Sequence, residues 1–223
     1  MSLEARALAL RERIERACTA ADRDPREVEL LPVSKRQPVA LVAEALGLGY
    51  RRFGENYVQE GAAKATVLPQ ASFLLIGPLQ RNKARVAIQA FQELQSVDRL
   101  DLARRLSTLA EELDLVRPVW IQVDLWGEAT KEGGCPEADL PGLIDHLAAM
   151  PRLPLQGFMA LPPQGDPGAF PRLAALRSDW EQRLGRRLRL SAGMSGDLEA
   201  AIAAGSDQVR IGTAFFGARD PIS

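Results

Sequence analysis

The chain has one histidine, two cysteines and almost no net charge, and each scarcity excludes a class of function. A lone histidine, His146, weighs against a histidine-based metal site or a Ser-His-Asp triad. Cys18 and Cys135 make no disulfide framework, so two free thiols in a cytoplasmic protein are expected. The 28 Lys+Arg and 29 Asp+Glu residues leave a net charge of −1 with both signs mixed along the chain. That balance gives no support for a nucleic-acid surface or an anionic membrane partner. No run of about 18 uncharged apolar residues is present, so no membrane span is expected. Met1 to Arg16 alternates Leu and Ala with Glu and Arg and lacks the uncharged core of a secretory leader. Nor does any linker, low-complexity tract or internal repeat divide the 223 residues, so a single domain over 1–223 is expected. The 46% hydrophobic content is ample for its core.

What is present is a regular alternation. A helix over Leu3 to Ala20 precedes the first strand, Val28 to Ser34. Strands then follow at Tyr50–Phe53, Ser72–Ile76, Glu93–Val97, Pro118–Leu125, Leu153–Met159, Leu188–Leu190 and Gln208–Ile211, with a helical pattern between each pair. Eight strands alternating with helices predict a (β/α)8 barrel with an extra N-terminal helix; a doubly wound open sheet is the alternative. No helix is expected after Ile211, and the N-terminal helix is expected to cover that gap.

The chemistry-bearing residues gather just after strands, where barrel enzymes keep their active sites. Val209-Arg210-Ile211 is a short β-branched run with one charge inside it, which requires a buried or ligand partner for Arg210. Gly212 then allows close approach of a ligand, and N–H groups at such a turn, with the Thr213 hydroxyl, can cradle a phosphate. Ser195, in the loop after the seventh strand, reads either as a helix N-cap or as a second phosphate contact. At the other end of the chain Leu30-Leu31-Pro32-Val33-Ser34 leads into Lys35, a residue type that forms Schiff bases. A lysine and a phosphate cradle at the ends of two strands point to pyridoxal 5′-phosphate (PLP). Trp120, Trp126 and Trp180 read as packing or rim residues, and the arginines of 183–189 as a solvated stretch.

Seven ordered segments resemble the YggS/PROSC family of pyridoxal phosphate homeostasis proteins. They are Val33-Ser34-Lys35; Phe53-Gly54-Glu55-Asn56-x-Val58-Gln59-Glu60; Ile76-Gly77-Pro78-Leu79-Gln80-x-Asn82-Lys83; Glu128-x-x-Lys131-x-Gly133; Gly157-x-Met159-Ala160-x-Pro162; Ser191-x-Gly193-Met194-Ser195-x-Asp197; and Val209 to Ala214. The resemblance implies a barrel like the N-terminal domain of bacterial alanine racemase. It implies that Lys35 forms the Schiff base, that Arg210 faces the pyridine nitrogen, and that Ser195, Gly212 and Thr213 hold the phosphate. Asn56 and Met194 are implied as pocket residues. Leu74, Tyr57 and Ala192 depart from the pattern, standing where the family often has His, Arg and Met; none of these is a proposed cofactor contact.

Two functions of different classes follow. One is a cytoplasmic, monomeric PLP binder that buffers or delivers the cofactor, with PLP-dependent apo-enzymes as recipients. The other is a small PLP-dependent amino-acid racemase. A two-base racemase needs an acid/base on each face of the bound substrate, and Lys35 supplies one. In alanine racemase the opposing tyrosine comes from a C-terminal domain across a dimer. This chain has only Tyr50 and Tyr57 and ends soon after its eighth strand, so the binder is the expected function.

Overall fold

The computed structural model describes residues 1–127, 133–163, 165–166 and 168–218; of the loop Glu128–Gly133, only Gly133 lies within them. Strands β1 (Glu29–Pro32), β2 (Arg52–Glu55), β3 (Ser72–Leu75), β4 (Glu93–Val97), β5 (Val119–Asp124), β6 (Cys135–Pro136), β7 (Leu155–Ala160), β8 (Arg189–Ser191) and β9 (Gln208–Ile211) are all parallel. Eight of them follow the order β1-β9-β8-β7-β5-β4-β3-β2, while the two-residue β6 pairs only with β5. A bridge between Val33 and Gly54, with the Ser34 N–H on the Gly54 carbonyl at 2.9 Å, brings β1 against β2 and nearly closes the ring. This is the predicted barrel, not the open sheet.

The helices α1 (Leu3–Ala20), α2 (Val39–Gly47), α3 (Val58–Val67), α4 (Ala84–Ala90), α5 (Leu100–Glu112), α6 (Leu140–Ala148), α7 (Ala169–Leu184) and α8 (Leu198–Ala203) surround it. Contrary to expectation, one further turn of helix, α9 (Thr213–Phe216), follows β9. Its two phenylalanines are buried, which is why so short a segment is helical: packing holds it, since propensity alone does not stabilise a single turn. The expected cover is also there. Helix α1 turns Leu3, Ala7, Leu10, Ile14 and Ala17 inward and packs on α8 and α9. Its Ser2 cap accepts from the Ala5 N–H, anchoring the first turn. No described helix is long and apolar enough to cross a membrane.

Residues alternate across the barrel wall. Phe53, Phe73, Leu75, Val119, Ile121, Phe158, Val209 and Ile211 join the large outer core beneath the helices, whereas Leu31, Val33, Leu74 and Ile76 form a separate inner cluster. β2 continues two residues past its expected end because Gly54 points into that inner cluster. A Cβ there would lie 2.9 Å from Ile76 Cδ1 and 3.3 Å from Leu31 Cδ2, so its glycine serves a packed strand and not a strand stop. The inner floor, at the N-terminal ends of the strands, is ionic. Arg52 donates to Glu29 (2.7 Å) and Glu93 (2.9 Å), while Arg189 and Gln208 donate to the second Glu29 oxygen at 3.3 and 2.9 Å. Glu93 in turn accepts from Gln95. Trp120 is fully buried, with the Arg189 guanidinium 5.4 Å from its ring centre.

Candidate functional site

The opposite, C-terminal end of the strands carries the candidate site. β1 delivers Lys35 one residue past Ser34, on a turn that is anchored on both sides. The Ser34 hydroxyl donates to Glu55 Oε1 at 2.7 Å, the Ser34 carbonyl accepts from Lys64 Nζ at 2.6 Å, and the Arg36 N–H donates to Glu60 Oε1 at 2.5 Å. Lys64 Nζ also donates to Glu55 (2.6 Å) and Glu60 (2.8 Å), so one buried ionic cluster on β2 and α3 grips the backbone before and after Lys35. Arg36 adopts a positive φ of 58° here, a conformation non-glycine residues seldom take. Burial pushes the Glu55 carboxyl above its ordinary range, although Lys64 and Ser34 oppose the shift. Its Oε2 is buried without a partner. Lys35 itself is half-buried and makes a polar contact of its own.

Across the mouth, the loops after β8 and β9 lie side by side. The Ala192 N–H bonds the Gln208 carbonyl at 3.1 Å, and the Arg210 N–H bonds the Gly193 carbonyl at 2.9 Å. Gly193 has φ +99°, and a Cβ there would fall 2.5 Å from Ala201 Cβ, so only glycine lets this loop run against α8. Asp197 holds the N-cap position of α8 without a side-chain bond to the helix, its carboxylate accepting instead from the Met194 N–H at 2.6 Å; Ser195 stands two residues ahead of that position and is not the N-cap itself. Ser195 and Met194 are half-buried, and Thr213 is exposed at the start of α9.

Gly212 caps α9 and differs from Gly193. A methyl on its Cα would meet nothing nearer than the Val33 carbonyl oxygen at 3.6 Å. The protein's own packing does not forbid a side chain there, since Val33, on the segment that leads to Lys35, stands at ordinary contact distance, its Cβ 3.8 Å away. The turn that Gly212 starts is a candidate phosphate cradle because its first N–H groups have no partner within the turn itself. The residues present therefore fit a phosphorylated ligand whose other end reaches Lys35.

Arg210 has the partner its sequence setting requires. It is 4% exposed and shares the inner face with Gln208; one guanidinium nitrogen donates to the Ser191 carbonyl (2.6 Å) and hydroxyl (2.8 Å), the other to the Ala160 carbonyl (2.7 Å). Three fixed acceptors hold the guanidinium plane between β7, β8 and β9. Asn56, half-buried after β2, has its backbone against Gly77: a Cβ on Gly77 would lie 2.3 Å from the Asn56 carbonyl oxygen. Lys35, Ser195, Gly212, Thr213, Asn56 and Met194 thus all follow strands at one mouth of the barrel, and Arg210 lies inside β9, one residue before its end.

Sequence reasoning missed the Glu55-Lys64-Glu60 cluster. Its signals were a carboxylate ending an otherwise apolar strand and a Glu60/Lys64 pair one helical turn apart. The 183–189 stretch is a correction as well. Arg187 donates to the buried Asp207 at 2.6 Å, Arg186 to the Leu155 carbonyl, and Arg189 sits in the barrel floor, so the arginines there are structural contacts and not merely solvated. Trp120 and Trp180 are buried as expected. Cys135 is buried too, and burial pushes its thiol up to about 12.

Comparison with known proteins agrees with the barrel fold. The family described as "Alanine racemase, N-terminal domain" matches residues 7–220. The "Pyridoxal phosphate homeostasis protein" of Pseudomonas aeruginosa is 46% identical over 218 residues, covering 93% of this chain and 92% of that protein. The protein of the same name from Escherichia coli K12 is 40% identical over 221 residues, covering 95% and 94%. Among solved structures, PipY of Synechococcus elongatus with PLP bound superposes with a TM-score of 0.80 at 35% identity, covering 92% of this chain and 99% of PipY. An alanine racemase of Clostridium difficile shares the fold (TM-score 0.69) at 17% identity, with this chain spanning 54% of its length.

Proposed function

The chain belongs to the alanine racemase N-terminal-domain family, and within it to the pyridoxal phosphate homeostasis proteins; from that premise we propose that it binds PLP at the C-terminal mouth of its barrel and buffers or delivers the cofactor without appreciable amino-acid turnover. The observation that carries this reading is the meeting of the Gly212 turn with the strand segment that leads to Lys35: a Cβ on Gly212 would lie 3.6 Å from the Val33 carbonyl oxygen, while the Arg210 N–H bonds the Gly193 carbonyl of the Ser195 loop at 2.9 Å. Ser195, Gly212 and Thr213 would take the phosphate with neutral donors, and the Lys35 amine would take the aldehyde carbon. Asn56 and Met194 would line the pocket. When bound, PLP supplies an electron sink and an aldehyde that an incoming amine can carry away.

Arg210 would face the pyridine nitrogen. A guanidinium keeps its proton, so that nitrogen stays unprotonated and the ring becomes a poorer electron sink. The remaining acid/base supply also favours a binder. Tyr50 precedes β2 and packs edge-on against Phe215, with its hydroxyl accepting from Arg11. Tyr57 is at the mouth but exposed, with its hydroxyl accepting from Arg36 at 3.1 Å. Neither is presented as a second base opposite Lys35. The protein is then a cytoplasmic monomer that passes PLP to apo-enzymes. The test is the exchange of the α-hydrogen of D- and L-alanine in deuterated buffer by the PLP-loaded protein, with its mass followed by light scattering. A monomer that binds PLP and leaves alanine unexchanged supports the reading. A dimer exchanging at enzymatic rates, and losing that exchange in Lys35→Ala, makes it a racemase.

A further inference from the structure

Helix α1 reaches both loops of the phosphate cradle, and it does so with arginines two turns apart on one face. Arg13 forms a fork on Glu199 of α8, with Nε to Oε1 at 2.5 Å and Nη2 to Oε2 at 2.6 Å, while its Nη1 donates to the Ser195 carbonyl at 2.8 Å. Arg6 donates to the Phe215 and Phe216 carbonyls, both at 2.8 Å, at the end of the turn that Thr213 begins. Gly217 is what admits it: a Cβ there would lie 3.3 Å from the Arg6 guanidinium carbon, and its φ is +95°. The two cradle segments are well separated in sequence, one at Ser195 and the other at Gly212, yet each is tied to the same rigid helix. Arg23, just past α1, adds a third tie at the Ile202 carbonyl, at the end of α8.

We propose that α1 is the clamp of the phosphate cradle and that Arg13 is its positioning residue, so that retention of a phosphorylated ligand is set from the N-terminal helix and not only from the loops that touch it. Resting on the reading that Ser195, Gly212 and Thr213 hold phosphate, this clamp adds a control point for release. Arg13 touches no ligand. It fixes the Ser195 carbonyl, and through Glu199 the first turn of α8, so the Ser195 N–H and hydroxyl keep one orientation. Loosening α1, by a partner that engages it or by substitution, frees that loop and shortens the lifetime of a phosphate bound there. The aldehyde end at Lys35 is anchored independently by the Glu55-Lys64-Glu60 cluster and is unaffected.

The test compares dissociation of PLP and of pyridoxal, which lacks the phosphate, from wild type, Arg13→Ala, Arg13→Lys and Glu199→Ala. Arg13 is a partly exposed surface residue, and losing its charge-assisted hydrogen bonds should speed PLP release on the order of tenfold while leaving pyridoxal unchanged. Arg13→Lys should recover part of the difference, because one donor can still reach the Ser195 carbonyl. A merely structural role would loosen both ligands alike, and equal changes, or none, overturn the proposal. Should Arg13→Ala fail to fold, Glu199→Ala decides by the same comparison: a phosphate-selective loss supports the clamp and a non-selective or absent loss overturns it. Failure of the underlying phosphate reading is distinguishable, since wild type itself would then hold PLP no better than pyridoxal.

Discussion

Two side chains test the site separately. Thr213 is exposed at the mouth and offers a hydroxyl, so Thr213→Val should weaken PLP by about tenfold and pyridoxal hardly at all, the size expected for one hydrogen bond to a charged acceptor. Equilibrium dialysis of both ligands checks this, and equal losses would remove Thr213 from the phosphate site. Cys135 tests the burial of the wall. Its folded thiol is held up to about 12 by burial, with Asp139 and Asp98 adding to the shift, against an ordinary value of 9.0. A raised acid stabilises the fold below pH 9.0 and loses that contribution as pH climbs from 9.0 toward 12, because the unfolded chain ionises first. At about pH 8 the native thiol should therefore resist a disulfide reagent that reacts fully after denaturation. Fast labelling of Cys135 in the native protein would show that β6 opens. Lys35, Arg210 and the glycine turns were legible in sequence because each breaks a local rule, a charge in or after an apolar strand or a glycine at its end. Arg13 was not legible, since its partners lie at the far end of the chain and nothing local marks it.

Elements were legible to the extent that periodicity governs them. All eight barrel strands and the helices between them appear where the alternation places them, because a strand that is buried on both faces and a helix that is buried on one leave different patterns. The exceptions have tertiary causes: β2 runs through Gly54 because the inner cluster leaves no room for a side chain, and α9 exists because Phe215 and Phe216 are buried under α1. The ionic floor of the barrel was invisible as well, since Glu29, Arg52, Glu93 and Arg189 belong to four strands and meet only on closure. That floor ties β1 to β2, β8 and β9, spanning the β1–β2 and β8–β9 seams, which have a single ladder pairing each. Glu29→Ala leaves two arginines without their shared carboxylate. A fully buried pair would lose roughly 3–5 kcal/mol; with Arg52 and Arg189 each 38% exposed, screening should reduce this to about 2 kcal/mol. Urea unfolding monitored by circular dichroism measures it, and a loss under about 0.5 kcal/mol would mean that the β1–β2 seam holds without the floor.

For the whole molecule, the barrel and its family were both readable from ordered motifs, whereas the chemistry depends on which ends of those motifs converge. Closure of the ring places the first strand beside the last, and so places Lys35 near Gly212, residues at opposite ends of the chain. We propose that this convergence is a PLP site with Lys35 as its covalent anchor. The chain has only four lysines, Lys35, Lys64, Lys83 and Lys131, which makes the claim unusually easy to test. Purified protein is saturated with PLP, reduced with borohydride, digested and mapped by mass spectrometry, with Lys35→Ala in parallel. The expected result is one pyridoxyl group per chain, on Lys35, and loss of both the label and the yellow absorbance in Lys35→Ala. Stoichiometric label on another lysine of the wild-type chain, with Lys35 unmodified, would contradict it.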